Sequence, residues 1–313
     1  MFVSASRPLG LARGYKRIRD TAPDAIYLNS FFDVRMSMIP QLLARLGFWR
    51  SAKVLLAPRG EFNTGALAIR RNKKRLFLSL YRLLGLQRKV TWHASSDIEA
   101  KAVRALWGAK ARILVREDET NLPEKATPPV PHDGALRVIF LGRIVPIKGL
   151  LTALDALALS TKEISFDIYG PEEDIEYVAK CREAAARAPA NVVINFRGAL
   201  APDSVRSTLL LSDVMVMPTQ GENFGHVIAE ALSVSCPVIC SGNTPWSQVL
   251  AAGGGVVVES TRPQVWLEAI EEFAVAQPSE RLLRRDSAGV AYDAWRKAPK
   301  GEHVLTTLER LYA

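Results

Sequence analysis

PTQGENFGHVIAEALSVSCPVICSG, residues 218–242, is the stretch on which the fold turns. It follows a short apolar run, VMVMP, and passes through a glycine-containing turn into VIAEAL, which has the spacing of a helix starting near Asn223. It ends in PVICSG, a second apolar run stopped by small residues. The same pattern extends outward. RVIFLG, SFDIYG and VVINFRG lie upstream and GGVVVE downstream, with LLTALDALALS and IEYVAKCREAAARA at helical spacing between them. Near-continuous apolar strands separated by helices predict a parallel sheet covered on both faces.

The first half repeats the theme with AIYLN, KVLLAP, KVTWHAS and RILVRE. The halves are joined by NLPEKATPPVPHDGAL, a proline-rich stretch without apolar periodicity that reads as a linker. A chain of 313 residues has room for two domains. The expected division is 1–128, 129–295 and a C-terminal helix at 296–313 that packs back on the first domain.

Charge separates the halves. Residues 1–128 hold 24 Lys and Arg against 10 Asp and Glu, whereas the remainder holds 17 against 22. The whole basic excess therefore lies in the first half, which points to an acidic partner such as an anionic membrane surface. LAIRRNKKRLFLSLYRLLGLQRKV, residues 67–90, carries much of it. That segment reads either as a membrane-surface helix or as a core helix with a solvated face. Nucleic acid is not favoured, because no recognition motif accompanies the charge. Cys181, Cys236 and Cys240 form no disulfide framework and read as small core residues of a reducing compartment. No run reaches the roughly 18 apolar residues of a membrane span, and the N-terminus lacks a secretory h-region. The expected location is the cytoplasm, with the inner membrane face as the surface the basic half would meet.

Two motifs carry chemistry. In FLGRIVPIKGL, residues 140–150, a strand runs into Gly142-Arg143, and Lys148-Gly149 opens a helix. Two cations at a strand end beside a helix N-terminus suit a diphosphate. In the opening stretch, Glu222 sits before the helix, and Glu230 follows after seven intervening residues inside apolar VIAEAL. A carboxylate so placed needs a partner, since burying it alone is costly.

FLGRIVPIKGL paired with GENFGHVIAEALSVSCPVICS resembles family 4 retaining glycosyltransferases, which have the GT-B fold. The resemblance implies two Rossmann-like domains facing across a cleft. It gives Arg143 and Lys148 the donor diphosphate, Glu222 the donor sugar and Glu230 the ribose. It extends to Gly142, to Gly170 in IYGP, to Arg197 and Gly198 in FRGAL, and to the backbone of Asn223, Phe224 and Gly225. Catalysis would fall to Glu222, Arg143 and Lys148, with no metal and no cofactor. The donor would be a nucleotide sugar, uridine-linked by preference. The first half resembles a bacterial exopolysaccharide or lipopolysaccharide subgroup, which implies a glycan or polyprenyl-diphosphate-linked acceptor in cell-surface polysaccharide synthesis. In many members a histidine follows the strand corresponding to KVLLAP. Here Pro58-Arg59-Gly60-Glu61 stands instead, leaving Arg59, Glu61 and His93 as acceptor-side candidates. One or two βα units seen in the family have no counterpart before AIYLNS, so the first domain reads as N-terminally incomplete. That leaves a second reading, a catalytically impaired sugar-nucleotide-binding or assembly protein on the same fold.

Overall fold

Val, Ile, Leu and Phe fill the runs that become strands, because such side chains pack on both faces of a pleat covered by helices. The computed structural model describes residues 8–50, 52–68 and 70–312. Its contacts divide the chain into two units, Met1–Asp118 with Lys300–Ala313, and Glu119–Pro299. The opening MFVSASR, Ile69 of the basic segment and Ala313 lie outside the described residues.

The first unit has four parallel strands, β1 (Ala25–Asn29), β2 (Lys53–Ala57), β3 (Val90–Ala94) and β4 (Arg112–Val115), in the order β1-β2-β3-β4. Among the described residues, helices α1 (Pro8–Asp20), α2 (Ile39–Arg45), α3 (Thr64–Ala68), α4 (Arg71–Leu83) and α5 (Asp97–Trp107) accompany them. An aromatic cluster fixes this core. Phe31 is fully buried against the rings of Phe32, Phe62, Phe77, Tyr81, Trp92 and Trp107. Ser96 caps α5 by accepting the Glu99 N–H at 3.2 Å.

The second unit has six parallel strands: β5 (Leu136–Leu141), β6 (Ile164–Tyr169), β7 (Val192–Gly198), β8 (Val214–Met217), β9 (Val238–Ser241) and β10 (Gly255–Val258). Their order is β10-β9-β8-β5-β6-β7. Helices α6 (Leu150–Leu157), α7 (Ile175–Ala185), α8 (Pro202–Leu210), α9 (His226–Leu232), α10 (Ser247–Val249), α11 (Pro263–Ala274) and α12 (Pro278–Lys297) complete the unit. One apolar cluster joins the sheet to α6, α7 and α11, and a second joins it to α8, α9 and α12. All three cysteines are buried.

The division falls ahead of residue 128, because the linker is fastened to the second unit. Ala126 N–H donates to Asp293 at 2.7 Å, Thr127 N–H donates to the Ser233 carbonyl at 2.9 Å, and the Tyr292 hydroxyl donates to the Pro123 carbonyl at 2.5 Å. At the other end α12 runs on to Lys297, past residue 295. The last helix, α13 (Val304–Tyr312), belongs to the first unit, where Val304 and Leu308 cluster with Leu55. Among the described residues no helix is long and apolar enough to cross a membrane.

Candidate functional site

In the second unit the winding reverses between β5 and β8. Ligands of open α/β sheets bind beyond the carboxyl ends of strands at such a switch point. Both sequence motifs emerge there, one after β5 and the other after β8. Their loops are locked together. Gln220 N–H donates to the Ile147 carbonyl at 2.8 Å, and the Thr219 hydroxyl donates to the same oxygen at 3.1 Å. Glu222 N–H is held by the Asn243 carbonyl at 3.1 Å. This anchoring brings Lys148 Nζ to 2.5 Å from Glu222 Oε1, with side chains only 17% and 10% exposed. In such shielding the attraction between the two groups is stronger than in a surface pair.

The remaining donor-side candidates spread around this pair. Gly142 and Gly170 meet backbone to backbone, since a Cβ on Gly170 would stand 1.8 Å from the Gly142 carbonyl oxygen. Gly170 N–H in turn donates to the Gly198 carbonyl at 2.9 Å. Arg143 is exposed and pairs with Glu173 at 3.0 Å, so it does not share the Lys148–Glu222 contact. Arg197 pairs with Asp167 at 3.0 Å. The first turn of α6 offers fewer free donors than the sequence suggested, because Leu151 N–H donates to the Tyr177 hydroxyl at 3.0 Å and Thr152 N–H to the Gly149 carbonyl at 2.9 Å.

Asn223 is not the start of the following helix. Gly225 takes φ +83, a left-handed conformation, and α9 begins at His226. The loop is pinned by Trp246, whose Nε1–H donates to the Phe224 carbonyl at 2.5 Å while its ring packs on that of Phe224. Asn223 Oδ1 is buried there without a hydrogen-bond partner among the described residues. An unpaired buried acceptor is costly and invites a donor from a ligand. Glu230 is half-buried on α9. Burial pushes its carboxyl above the ordinary carboxylate range, against the pull of His226 and Arg206. A cavity of about 510 Å³ opens beside Gly149, bounded by Thr152, Gly242, Glu259 and Trp266. Both motifs contribute to it, through Gly149 and through Pro218, Thr219, Gln220, Ser241 and Gly242, while Val258, Glu259 and Trp266 come from a segment that no motif marks.

The first-unit candidates are occupied by their own neighbours. Glu61 accepts from the Ser30 hydroxyl at 2.7 Å and from the N–H groups of Phe31 and Phe32 at 2.5 and 2.9 Å, so it organises the loop after β1. His93 Nε2 lies 2.8 Å from the Arg116 carbonyl and must donate to it. Its Nδ1 therefore accepts from the Tyr27 hydroxyl, 2.5 Å away. Burial lowers the imidazole below its ordinary pKa, which fits this neutral tautomer. Arg59 donates to Asn29 Oδ1 at 2.8 Å and to the Tyr27 hydroxyl at 3.1 Å, and it pairs with Asp118. Tyr27, Asn29 and Asp118 are members of this network that the sequence did not single out. Tyr27 lies within β1, Asn29 ends it and Asp118 follows β4, in segments with no motif of their own.

The two parallel-sheet Rossmann-like units, with paired charges at the switch point of the second, define an α/β chain of the GT-B class. The chain belongs to the Glycosyl transferases group 1 family, which matches residues 124–286, just over half of the sequence. It is similar to the D-inositol 3-phosphate glycosyltransferase of Streptomyces bingchenggensis, with 29% identity over 52% of this chain and 38% of the relative. The protein of the same name from Paenarthrobacter aurescens shows 26% identity over 53% of this chain and 45% of the relative. The matched stretch thus spans less than half the length of these relatives. In fold it resembles sucrose-phosphate synthase from Thermosynechococcus elongatus, with a TM-score of 0.74, 16% identity and coverage of 100% of this chain and 80% of the other. It also resembles Anabaena HepE in complex with UDP and glucose, with a TM-score of 0.72, 14% identity and coverage of 97% and 81%.

Proposed function

We propose that this chain transfers a sugar from a nucleotide sugar, with retention of configuration, and that the second unit binds the donor. The observation that carries the reading is the shielded Lys148–Glu222 pair at the β5/β8 switch point. In the proposed reaction Lys148 turns to the donor diphosphate, joined by Arg143 from its exposed pairing with Glu173. Negative charge that grows on the leaving diphosphate is then met by fixed cations, so no metal is required for that role. Glu222, released from Lys148, accepts hydrogen bonds from sugar hydroxyls. Asn223 Oδ1, otherwise unpartnered, takes another. Glu230 holds the ribose diol. A uridine donor is favoured because HepE, a neighbour in fold, binds UDP and glucose.

The acceptor carries phosphate in this reading. The relatives' names supply D-inositol 3-phosphate. The first unit adds a reason to place the acceptor on a membrane. On α4, Leu76, Leu80 and Leu83 are exposed beside the exposed cations Arg71, Lys73, Arg75 and Arg82, while Leu78 and Tyr81 face the core. Exposed leucines among cations suit an anionic lipid surface better than a core helix does. A polyprenyl-diphosphate-linked glycan in cell-surface polysaccharide synthesis fits that surface.

Calorimetric titration with UDP and GDP tests the donor site, beside Glu230→Ala and Lys148→Ala. Micromolar-range binding of one nucleotide, weakened by both substitutions, is expected. A folded chain that binds neither nucleotide would overturn the assignment. Binding of UDP-sugar with no turnover on soluble or lipid-linked phosphorylated acceptors would favour the non-catalytic reading instead.

A further inference from the structure

The first unit has a second charged feature, at the opposite end of its sheet from Arg59, which follows β2, and His93, near the end of β3. Lys53 begins β2, Val90 begins β3 and Arg112 begins β4. Around these amino ends lies a cavity of about 360 Å³. Six cations line it: Arg45, Arg50, Lys53, Arg88, Lys89 and Arg112. They arrive from the end of α2, from the segment after it, from the 3-10 turn Leu86–Lys89 and from the starts of two strands. All six are exposed, and no Asp or Glu is among the described residues that line it.

The cavity has a built floor. Val54 and Val90 are buried, and so is Gln41, whose side-chain amide donates to the Ser37 carbonyl at 3.1 Å and to its hydroxyl at 3.0 Å. The Tyr81 hydroxyl donates to the Gln41 oxygen. One wall is tied as well, since Arg45 Nη1 donates to the Gly85 carbonyl at 3.3 Å. The cations therefore surround a fixed concavity and are not strewn over a flat face. Like charges gathered in a concave site repel one another and focus a positive potential into it, and a bound anion relieves that cost.

We infer that this cavity binds an oligophosphate. Four of the six cations are arginines, whose planar forks match phosphate oxygens in pairs. Every phosphate of an oligophosphate keeps an ionised oxygen at neutral pH, so a short chain presents several negative charges to these cations at once. The volume falls in the usual range for small-molecule sites, roughly 300–1,000 Å³. The same chemistry is offered by a soluble oligophosphate and by a phosphorylated lipid headgroup. The inference does not depend on the donor site, which lies in the other unit.

The test uses the full chain carrying Lys148→Ala, so that phosphate binding at the donor loops is suppressed. Tripolyphosphate is titrated calorimetrically into this chain and into one that also carries Arg88→Ala and Lys89→Ala, exposed positions on a surface turn. The first should bind one equivalent, and the second should bind about tenfold or more weakly, with a shallower dependence on salt. A control with Lys101→Ala and Lys180→Ala, exposed cations elsewhere, should bind as the first does. Equal binding by all three chains, equal binding of sulfate, or no binding by a chain whose melting temperature is unchanged would overturn the proposal. Sedimentation with phosphatidylcholine vesicles, with and without phosphatidic acid, then separates the sources. Capture by the acidic vesicles that is lost with Arg88→Ala and Lys89→Ala assigns a lipid headgroup. Tripolyphosphate binding without such capture assigns a soluble ligand.

Discussion

Gly149 lies so close to Pro218 that a Cβ on the glycine would stand 1.9 Å from the proline carbonyl oxygen. Its φ of +72 is also left-handed. This contact joins the loop after β5 to the loop after β8, and Lys148 is the residue before it. Gly149→Ala should therefore cost about 3 kcal/mol or more, from backbone strain together with the clash. Gly142→Ala is the matched control, because the nearest atom to its Cβ would be 3.8 Å away. Thermal denaturation should show a large drop for the first variant and a small one for the second. UDP affinity should fall with Gly149→Ala at temperatures where that variant is still folded.

Lys148→Met would leave the buried Glu222 carboxylate without its cation. Breaking one side of a shielded pair costs more than losing a surface pair, here about 2–3 kcal/mol. Adding Glu222→Gln removes the stranded charge, so the double variant should regain most of the stability measured by urea unfolding. Nucleotide binding should not return, since the cation proposed for the diphosphate is still missing. Recovery of both properties together would make the pair a purely structural one.

A second ionic cluster should behave in the opposite way. Asp213, just before β8, accepts from Arg137 N–H and Nη2, both at 2.9 Å, and lies 3.8 Å from Arg285 and 3.9 Å from Arg281. Arg285 is only 2% exposed and also donates to the Val130 and Leu210 carbonyls, both at 2.7 Å. Asp213→Asn should cost about 3–5 kcal/mol, because it leaves buried guanidinium charge uncompensated. UDP affinity below the melting transition should be unchanged, since this cluster sits at the amino ends of the strands. A large loss of affinity would show that the sheet transmits strain to the switch point.

The contrast between these clusters explains what the sequence disclosed. Lys148 and Glu222 belong to motifs in which a strand ends, a glycine turns and a helix begins, so local order alone marks them. The apolar runs marked every strand for the same local reason. Asp213, Arg281 and Arg285 meet only through packing of α12 against the sheet, and nothing in LSDVMVM or RLLRRD reveals it. The start of α9 was misplaced because helical spacing from Asn223 is plausible, whereas the left-handed turn at Gly225 delays the helix. Glu61 and His93 looked available as strand-end polar residues, but their partners on the Phe31 and Arg116 backbones are set by tertiary contact.

Glu230 gives a prediction that links stability to pH. Burial raises its carboxyl, so the folded chain keeps this proton to a higher pH than the unfolded chain does. Between the ordinary carboxylate pKa and the raised one, the folded state binds more protons, and stability falls as pH rises through that window. Glu230→Gln cannot ionise and escapes the loss. Its melting temperature should match that of the parent below the window and exceed it at neutral pH. The same substitution removes the carboxylate proposed for the ribose diol, so UDP should bind about tenfold more weakly. A gain in stability with a loss of affinity is the outcome expected of a carboxylate kept for a ligand at the expense of the fold. Lower stability at neutral pH would mean instead that His226 and Arg206 outweigh burial, and that Glu230 serves as a structural counter-ion.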